Sequence, residues 1–390
     1  MPKAPAPDTL RVLHLGKYYP PAYGGMETYL RDLCIALQRT GTRCLALVHA
    51  QGRSWRSTID DAADDRPIVV RAATWARPLY TPVSPGLPLL LHRHIHRFEP
   101  DILHLHLPNP SALAVLALPA ARRLPWVIHW HADIIAAPEQ RRLALAYGLY
   151  RHGERALLAR ARAIIATSTE YLNSSAALQA FRPGCRVIPL GRDMPARWQH
   201  NTVSITDTAP LRLIAAGRLA LYKGFDVLLH ALAQVPGVVL TIVGDGEARS
   251  ALIQLVEKLQ LADRVTMRGA IDDAELATCL DTSDCLVLPS IARTEAFGLV
   301  LLEAMAAGIA TIASAVPGSG ILEVVDDGVT GLLVPPADPL ALAGAIRRLR
   351  DNRSLAHSLG RSGSRRFAAH YQISTSVHAI RALYTHVLET

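Results

Sequence analysis

The sequence predicts an α/β protein built from two doubly wound parallel sheets. Three observations predict it. A chain of 390 residues, 50% hydrophobic and 19% charged, is too long for one ordinary core and too apolar to stay unfolded. Short runs rich in Val, Ile and Leu alternate with helix-length amphipathic segments, the pattern of βαβ units. That rhythm stops between Gly191 and Pro210, where Pro195, Pro210 and the polar run Gln199 to Thr208 read as a linker, and then restarts. The expected boundaries are 1–195 for a first domain, 205–365 for a second, and a helical tail over 366–390 that packs back on the first.

In the first half, apolar runs bounded by turn residues place strands at Leu10–Leu15, Cys44–His49, Ile68–Arg71, Ile102–His106, Trp126–His129, Ala163–Ala166 and Arg186–Pro189. Apolar residues three and four apart place helices at about Glu27–Thr40, Leu87–Phe98, Ser111–Leu124 and Arg141–Arg160. The second half repeats the pattern. Strands are expected at Leu211–Ala215, Val238–Val243, Arg264–Arg268, Cys285–Pro289, Ala310–Ala313 and Gly331–Val334. Helices are expected at Phe225–Gln234, Ala248–Leu259, Asp273–Leu280, Leu299–Ala307 and Pro339–Asn352, with a helical tail from Ser354. Two such domains imply a ligand in the cleft between them, outside the carboxyl ends of the strands.

Composition narrows the function. Five cysteines (Cys34, Cys44, Cys185, Cys279, Cys285) form no C-x-x-C pair and no run at zinc-ligand spacing, which argues against a disulfide framework or a structural zinc site and fits a reducing cytosol. The longest mainly apolar stretch, Ser111 to Ala121, falls short of the ~20 residues of a spanning helix. The start, MPKAPAPDT, has no apolar h-region of a secretion signal. The net charge of +8 divides unevenly: residues 1–200 hold 25 Lys and Arg against 14 Asp and Glu (+11), and residues 201–390 hold 16 against 19 (−3). A basic first half suits phosphate-rich lipid or nucleic acid, though on charge alone a plain solubility bias is the favoured reading. The segment Leu87–Phe98 sets Leu87, Leu91, Ile95 and Phe98 opposite His92, Arg93, His96 and Arg97. Such a helix packs on its own sheet by default, and can lie on an anionic membrane.

Candidate site residues cluster after strands. The first strand leads into Gly24-Gly25 just before a helix, where glycines let the backbone approach an anion. No G-x-G-x-x-G follows a strand, so the dinucleotide fingerprint is absent. The strand Leu211–Ala215 runs into Gly217-Arg218, and Lys223-Gly224 follows. Lys223 is one of only four lysines among 41 basic residues, so a lysine in a glycine-bounded loop suggests a need for a compact point charge. Further on, Glu295 and Glu303 stand eight positions apart around Phe297, Gly298 and Leu299. The N–H groups there open a helix and form an anion site. Glu303 lies within an apolar helix, where a carboxylate is costly unless it has a partner.

Gly24-Gly25, Gly217-Arg218 with Lys223-Gly224, and the E-x7-E of Glu295 and Glu303 together resemble the family-4 retaining glycosyltransferases of the GT-B fold, two Rossmann-like domains facing across a cleft. Matching order runs from about residue 10 to 350 and includes Val238 to Gly246. The sequence departs at Val316-Pro317-Gly318-Ser319-Gly320, where the family often has paired glycines.

The resemblance implies that Arg218 and Lys223 hold a donor diphosphate, and that Glu295, with the backbone of Phe297, Gly298 and Leu299, contacts the donor sugar. It implies Glu303 on the ribose hydroxyls, backbone near Arg268 and Gly269 at the base, and Gly24 and Gly25 over the diphosphate. His131, just beyond the strand Trp126–His129, would lie beside the transferred sugar, whereas His104, His106 and His129 read as structural. Glu295 and Asp133 are the only candidate nucleophiles. No D-x-D metal-binding pattern occurs, so no metal or cofactor is expected and the cations take that role. The start and the WHADI segment at Trp130 resemble mannosyl- and rhamnosyl-type members of polysaccharide assembly, which favours GDP-mannose over a UDP-sugar.

The expected activity is hexosyl transfer to a glycan or polyprenyl-diphosphate-linked acceptor, in the cytoplasm or at the inner face of the cell membrane. Contact with anionic membrane would fall to the first domain, and nucleic acid lacks a supporting motif. A nucleotide-sugar 2-epimerase and a non-catalytic nucleotide-sugar-binding protein are the alternatives.

Overall fold

The structure, a computed structural model, describes residues 9–22, 24–60, 66–135, 141–194 and 209–389. Most of the expected linker, residues 195–208, and the start, residues 1–8, lie outside the described residues. The chain divides into two compact units. The first comprises Met1–Thr167, Ser175–Pro189 and Ile373–Thr390, the second Ser168–Ser174 and Leu190–Gln372. Residues 366–372 thus stay with the second unit, and the first takes the chain from Ile373 onward.

In the first unit the strands are β1 (Arg11–Leu15), β2 (Arg43–His49), β3 (Thr58–Asp60), β4 (Ile68–Ala72), β5 (Ile102–Leu107), β6 (Trp126–Trp130), β7 (Ala163–Ala166) and β8 (Cys185–Val187). They lie in the order β3-β4-β2-β1-β5-β6-β7-β8, parallel except for the β3–β4 pair. The short strand β3 was not expected: its residues are all exposed, so no alternating apolar pattern marks it. The central strands are buried along their whole length, as expected of strands covered by helices on both faces.

Helix Gly25–Arg39 buries Tyr29, Leu30, Leu33, Cys34 and Leu37, and helix Leu87–Phe98 buries Leu87, Leu91, His94, Ile95 and Phe98. His92, Arg93, His96 and Arg97 are exposed. The expected helix Ser111–Leu124 is broken into the turn Pro110–Leu113 and the short helices Ala114–Ala117 and Pro119–Arg122. The cause is Pro119. The residue before a proline is pushed out of the helical region, and Leu118 is extended at φ −92° and ψ 114°. Among the described residues, no helix is long and apolar enough to cross a membrane.

The second unit holds β9 (Leu211–Ala216), β10 (Val238–Val243), β11 (Val265–Gly269), β12 (Cys285–Leu288), β13 (Ala310–Ser314) and β14 (Leu332–Val334). All are parallel, in the order β11-β10-β9-β12-β13-β14. This order grows outward from β9 in one direction and from β12 in the other, so the topological switch lies between those two strands. Their pairing is short, Cys285 with Leu213 and Leu286 with Ile214. Loops leaving the carboxyl ends of β9 and β12 therefore flank the switch point, where doubly wound sheets place their ligands. The helical tail is two helices, Arg353–His370 and Ile373–Glu389.

Glycines lace the loops of this end together. The loop after β10 runs against the loop after β9, with Gly217 N–H donating to the Val243 carbonyl (3.0 Å) and Leu219 N–H to that of Asp245 (3.0 Å). A Cβ on Gly244, whose φ is 133°, would stand 1.9 Å from the Gly217 carbonyl oxygen. Gly244→Ala is expected to cost at least about 2 kcal/mol, from positive-φ strain and the backbone clash. Its urea midpoint should fall accordingly, and an unchanged midpoint would contradict the close approach.

Candidate active site

The loop after β9 presents Arg218 and Lys223, and the loop after β12 presents Glu295. The structure brings two of these together: Lys223 Nζ lies 2.5 Å from Glu295 Oε2, and both side chains are 11% exposed. Ser290 Oγ donates to the same carboxylate oxygen at 3.1 Å. Burial by itself lowers the pKa of the Lys223 ammonium, but the Glu295 carboxylate and Tyr222 more than offset this, and the net direction is upward. Lys223 is therefore a fixed cation at neutral pH. Its position depends on Gly217, because a Cβ there would meet Nζ at 3.1 Å. Gly224 is equally constrained, since at φ 66° its Cβ would fall 2.1 Å from the Pro289 carbonyl oxygen. Tyr222 accepts the Ile291 N–H at its carbonyl (2.8 Å), so the loops after β9 and β12 are tied to each other.

Arg218 sits further out, half exposed, and pairs with Glu247 of the β10 loop at 3.0 Å. Gly298 caps the helix Leu299–Ala307 at φ 78°, with no side-chain cap. Any Cβ at that position would lie 2.9 Å from both Leu288 and Leu301. The Leu301 N–H turns back to the Gly298 carbonyl (2.8 Å), and the N–H groups of Leu299 and Val300 before it have no side-chain cap and form the positive end of this buried helix. The Phe297 ring is buried edge-on to Tyr371, so only its backbone is placed for a ligand. Arg268 and Gly269 end β11: the Gly269 carbonyl accepts from Gly244 N–H (2.7 Å), and Arg268 is exposed.

Glu303, one turn into that helix, is 10% exposed in its side chain and has the partner its surroundings demand. Arg192 Nη2 lies 2.9 Å from Glu303 Oε1, and the Arg192 side chain is 5% exposed. Arg192 is anchored in turn by its backbone N–H to the Tyr371 carbonyl (2.9 Å). The Gly-Ser-Gly departure also acquires a physical role. Ser319 is fully buried and its hydroxyl donates to the Glu295 carbonyl, while Gly320 N–H donates to that of Ala296 (2.8 Å). The extra serine holds the backbone that carries Glu295.

In the first unit, Gly24 precedes helix Gly25–Arg39, and a Cβ on it would stand 2.2 Å from Glu27 Oε2. The glycine makes room for a buried carboxylate at a helix N-terminus, a favourable place for negative charge. Asp133 is buried and accepts from Trp130 Nε1 (2.9 Å) and Ser175 Oγ (2.7 Å). His131 follows β6 as expected, but it is 4% exposed and belongs to a cluster. Its ring stacks on His129 at 4.4 Å between centroids and 3° between planes, and its Nε2 lies 3.0 Å from His106 Nδ1. His106 Nε2 continues to His14 Nδ1 at 3.1 Å, and His104 Nδ1 meets the Tyr384 hydroxyl at 2.5 Å.

Burial drives the His131 pKa down to about 3. That of His49 falls to about 4, through burial first and the Lys17 charge second. His129 is also displaced well downward, by burial and then by neighbouring histidines. These rings are neutral when folded and take up protons when unfolded, near pH 6.5. Stability is therefore full above pH 6.5 and falls as pH drops below it, each such histidine contributing about 1.4 kcal/mol per pH unit. Urea midpoints at pH 7.5, 6.5 and 5.5 should fall steeply over the last step; a flat profile would contradict neutral burial.

Sequence reasoning missed Arg192, Glu27 and Ser319. The signal for Glu27 was its place in the first turn after Gly24-Gly25; for Arg192 and Ser319 no local pattern existed.

Residues 23–194 match the domain described as Glycosyltransferase Family 4, and residues 197–366 match Glycosyl transferases group 1. Over 375 residues the chain is 30% identical to the D-rhamnosyltransferase WbpZ of Pseudomonas aeruginosa, covering 92% of this chain and 91% of that protein. The chain belongs to the group 1 and family 4 glycosyltransferases. This glycosyltransferase is also 27% identical to the O-antigen chain mannosyltransferase C of Escherichia coli, over 98% of its own length and 100% of the relative's. Its fold is GT-B. Sucrose-phosphate synthase from Thermosynechococcus elongatus shares it at a TM-score of 0.80 and 24% identity, with 97% of this chain and 99% of that one covered. Anabaena HepE, solved with UDP-glucose, shares it at 0.71 and 22%, with 96% and 99% covered.

Proposed function

We propose that this glycosyltransferase moves a hexosyl unit, with retained anomeric configuration, from a nucleotide-diphosphate sugar to a glycan or polyprenyl-diphosphate-linked acceptor in surface polysaccharide assembly. The observation that carries the reading is the Lys223–Glu295 pair at the switch between β9 and β12, beside the uncapped N-terminus at Gly298. As the glycosidic bond breaks, charge grows on the departing diphosphate. A buried lysine, the Arg218 guanidinium and the first-turn N–H groups near Leu299 are fixed before that charge appears, so no reorganisation opposes it. These groups would do the work that a metal ion does in other transferases. Glu295, held by Lys223, Ser290 and Ser319, would accept from the sugar hydroxyls and turn the anomeric carbon toward the acceptor.

Glu303, oriented by Arg192, would accept from the ribose hydroxyls, and Gly269 would lie at the base. In the first unit, His131 and Asp133 fall to the acceptor side, with Gly24 and Gly25 toward the diphosphate. Attack on the same face as departure, without a covalent enzyme intermediate, suits a carboxylate as tightly paired as Glu295. GDP-mannose is the favoured donor, in keeping with the mannosyl- and rhamnosyltransferase relatives, and a UDP-sugar is second. The basic first half favours work in the cytoplasm at the anionic inner face of the membrane.

The test is incubation with a panel of nucleotide sugars, with and without polyprenyl-diphosphate-linked saccharides, followed by product analysis. Release of nucleoside diphosphate that requires the acceptor, with an α-linked product from an α-linked donor, supports the reading. Interconversion of the sugar without acceptor would instead make the protein an isomerase. Binding of the donor without any turnover would leave only a nucleotide-sugar-binding protein.

A further inference from the structure

Spacing along the sequence argues against a zinc site, yet the fold collects thiols and imidazoles that the sequence keeps apart. A ring nitrogen of His14 on β1, Cys34 Sγ on helix Gly25–Arg39 and Cys44 Sγ on β2 lie within 4.8 Å of one another. All three side chains are buried, at 0%, 0% and 2% exposure. All three elements belong to the first βαβ unit of the chain. Both cysteines are free thiols. Cys44 Sγ lies 3.9 Å from the Thr42 carbonyl and within side-chain hydrogen-bonding reach of Cys34 and His14, so the three groups already face one another.

A second observation points the same way. His14 Nδ1 is engaged with His106 Nε2 at 3.1 Å, which leaves Nε2 for any further partner. That Nε2 is buried without a hydrogen bond. His104, its neighbour across the β1–β5 pair, repeats the arrangement. Its Nδ1 meets the Tyr384 hydroxyl, its Nε2 is buried and unpartnered, and its ring lies 4.9 Å from that of His14. An imidazole fixed through one nitrogen by an outer partner, with the other nitrogen's lone pair unspent, is how metal-ligating histidines are held.

We propose that His14, Cys34 and Cys44 supply three donors of a structural site for a thiophilic divalent cation, Zn2+ by its chemistry. Tetrahedral zinc needs its sulfur and nitrogen donors separated by on the order of 3.6–3.8 Å, which the triad reaches by small side-chain shifts. Two thiolates neutralise the ion, so the complex carries no net charge into the core, and the two thiol protons leave to solvent as it forms. Sulfur and imidazole donors without carboxylates select zinc over magnesium or calcium. Because the site is sealed, the ion enters while the first βαβ unit folds, and its role is to staple that unit. It stands apart from the transfer chemistry and does not depend on the proposed function.

The test starts from the full chain, unfolded in denaturant with a chelator and a thiol reductant, then refolded with Zn2+, with Co2+ or with no metal. After dialysis the Zn2+ sample is expected to retain about one ion per chain. The Co2+ sample should show the thiolate-to-cobalt charge-transfer band, and the Zn2+ sample should unfold at higher urea than the metal-free one. Cys34→Ala and Cys44→Ala should each lower retained zinc at least about tenfold, whereas Cys279→Ala, a buried thiol outside the triad, should retain it. Should either variant fail to refold, the wild-type cobalt spectrum decides by itself. Wild-type protein that retains no zinc and shows no charge-transfer band overturns the proposal. So does a Cys34–Cys44 disulfide that forms with zinc present.

Discussion

Lys223→Ala is expected to lower turnover by about a hundredfold to a thousandfold while leaving the protein folded. Removing one preorganised donor to a developing oxyanion costs about that much in other enzymes. The effect should fall on kcat more than on KM, because the ammonium gains most from charge that appears only as the bond breaks. Two features make the loss larger than for an exposed lysine. The side chain is 11% exposed, so little solvent screens its charge, and it also orients Glu295 at 2.5 Å. Lys223→Arg should not restore the rate, since the longer, planar group cannot occupy the space Gly217 leaves for Nζ, 3.1 Å from the position of a Cβ. Steady-state kinetics with the donor identified by the panel would decide. A Lys223→Ala enzyme within threefold of the native rate would remove Lys223 from the site.

Arg192→Ala should cost about 3–5 kcal/mol of stability, the largest effect expected of a single exchange outside the apolar core. The reason lies in what remains. Glu303 sits in a helix whose other residues are almost all buried and apolar, and loss of the guanidinium removes the ion pair that offsets the burial of its charge. In the proposed role of Glu303 at the ribose, nucleotide affinity should fall as its orienting partner is lost. The double variant Arg192→Ala/Glu303→Gln should recover much of the stability but not the affinity, because the charge that needed compensation is gone along with the carboxylate proposed to accept from the ribose. Urea unfolding of the two singles and the double closes the cycle. Additive losses would show that the two residues do not act as a pair.

The strands and helices were legible because each carries its own periodicity. The buried strands read as mainly apolar runs, interrupted in β1, β5 and β6 by histidines, and the helices Leu87–Phe98, Arg141–Arg160 and Leu299–Ala307 have the ends expected of them. The failures have local causes. Thr58–Asp60 is an exposed edge strand with no apolar alternation, and Pro119 divides a helix whose apolar spacing is otherwise continuous. Lys223, Glu295 and Glu303 stood out because each is a residue of the wrong kind for its surroundings: a lysine in a chain that uses arginine, and carboxylates beside apolar runs. Their partners did not stand out. Arg192 lies 111 positions before Glu303, among other arginines, and nothing in its neighbours marks it.

By itself, the sequence determined the two-domain α/β architecture, the loops that bear the candidate site, and the family. Those depend on interactions between residues a few positions apart, which composition and spacing record directly. Tertiary structure decided who pairs with whom. It joined Lys223 to Glu295 and Arg192 to Glu303, put Ser319 under the Glu295 backbone, and gathered His14, His104, His106, His129 and His131 into one buried cluster with Cys34 and Cys44 beside His14. The physical reason is parallel sheet register. Residues on neighbouring strands meet by position along the strand, as His14 meets His104 and His106 meets His129, however much chain separates them. A histidine read alone is a structural residue; His104, His106, His129 and His131, buried together and held neutral, set the pH range over which the domain stays folded.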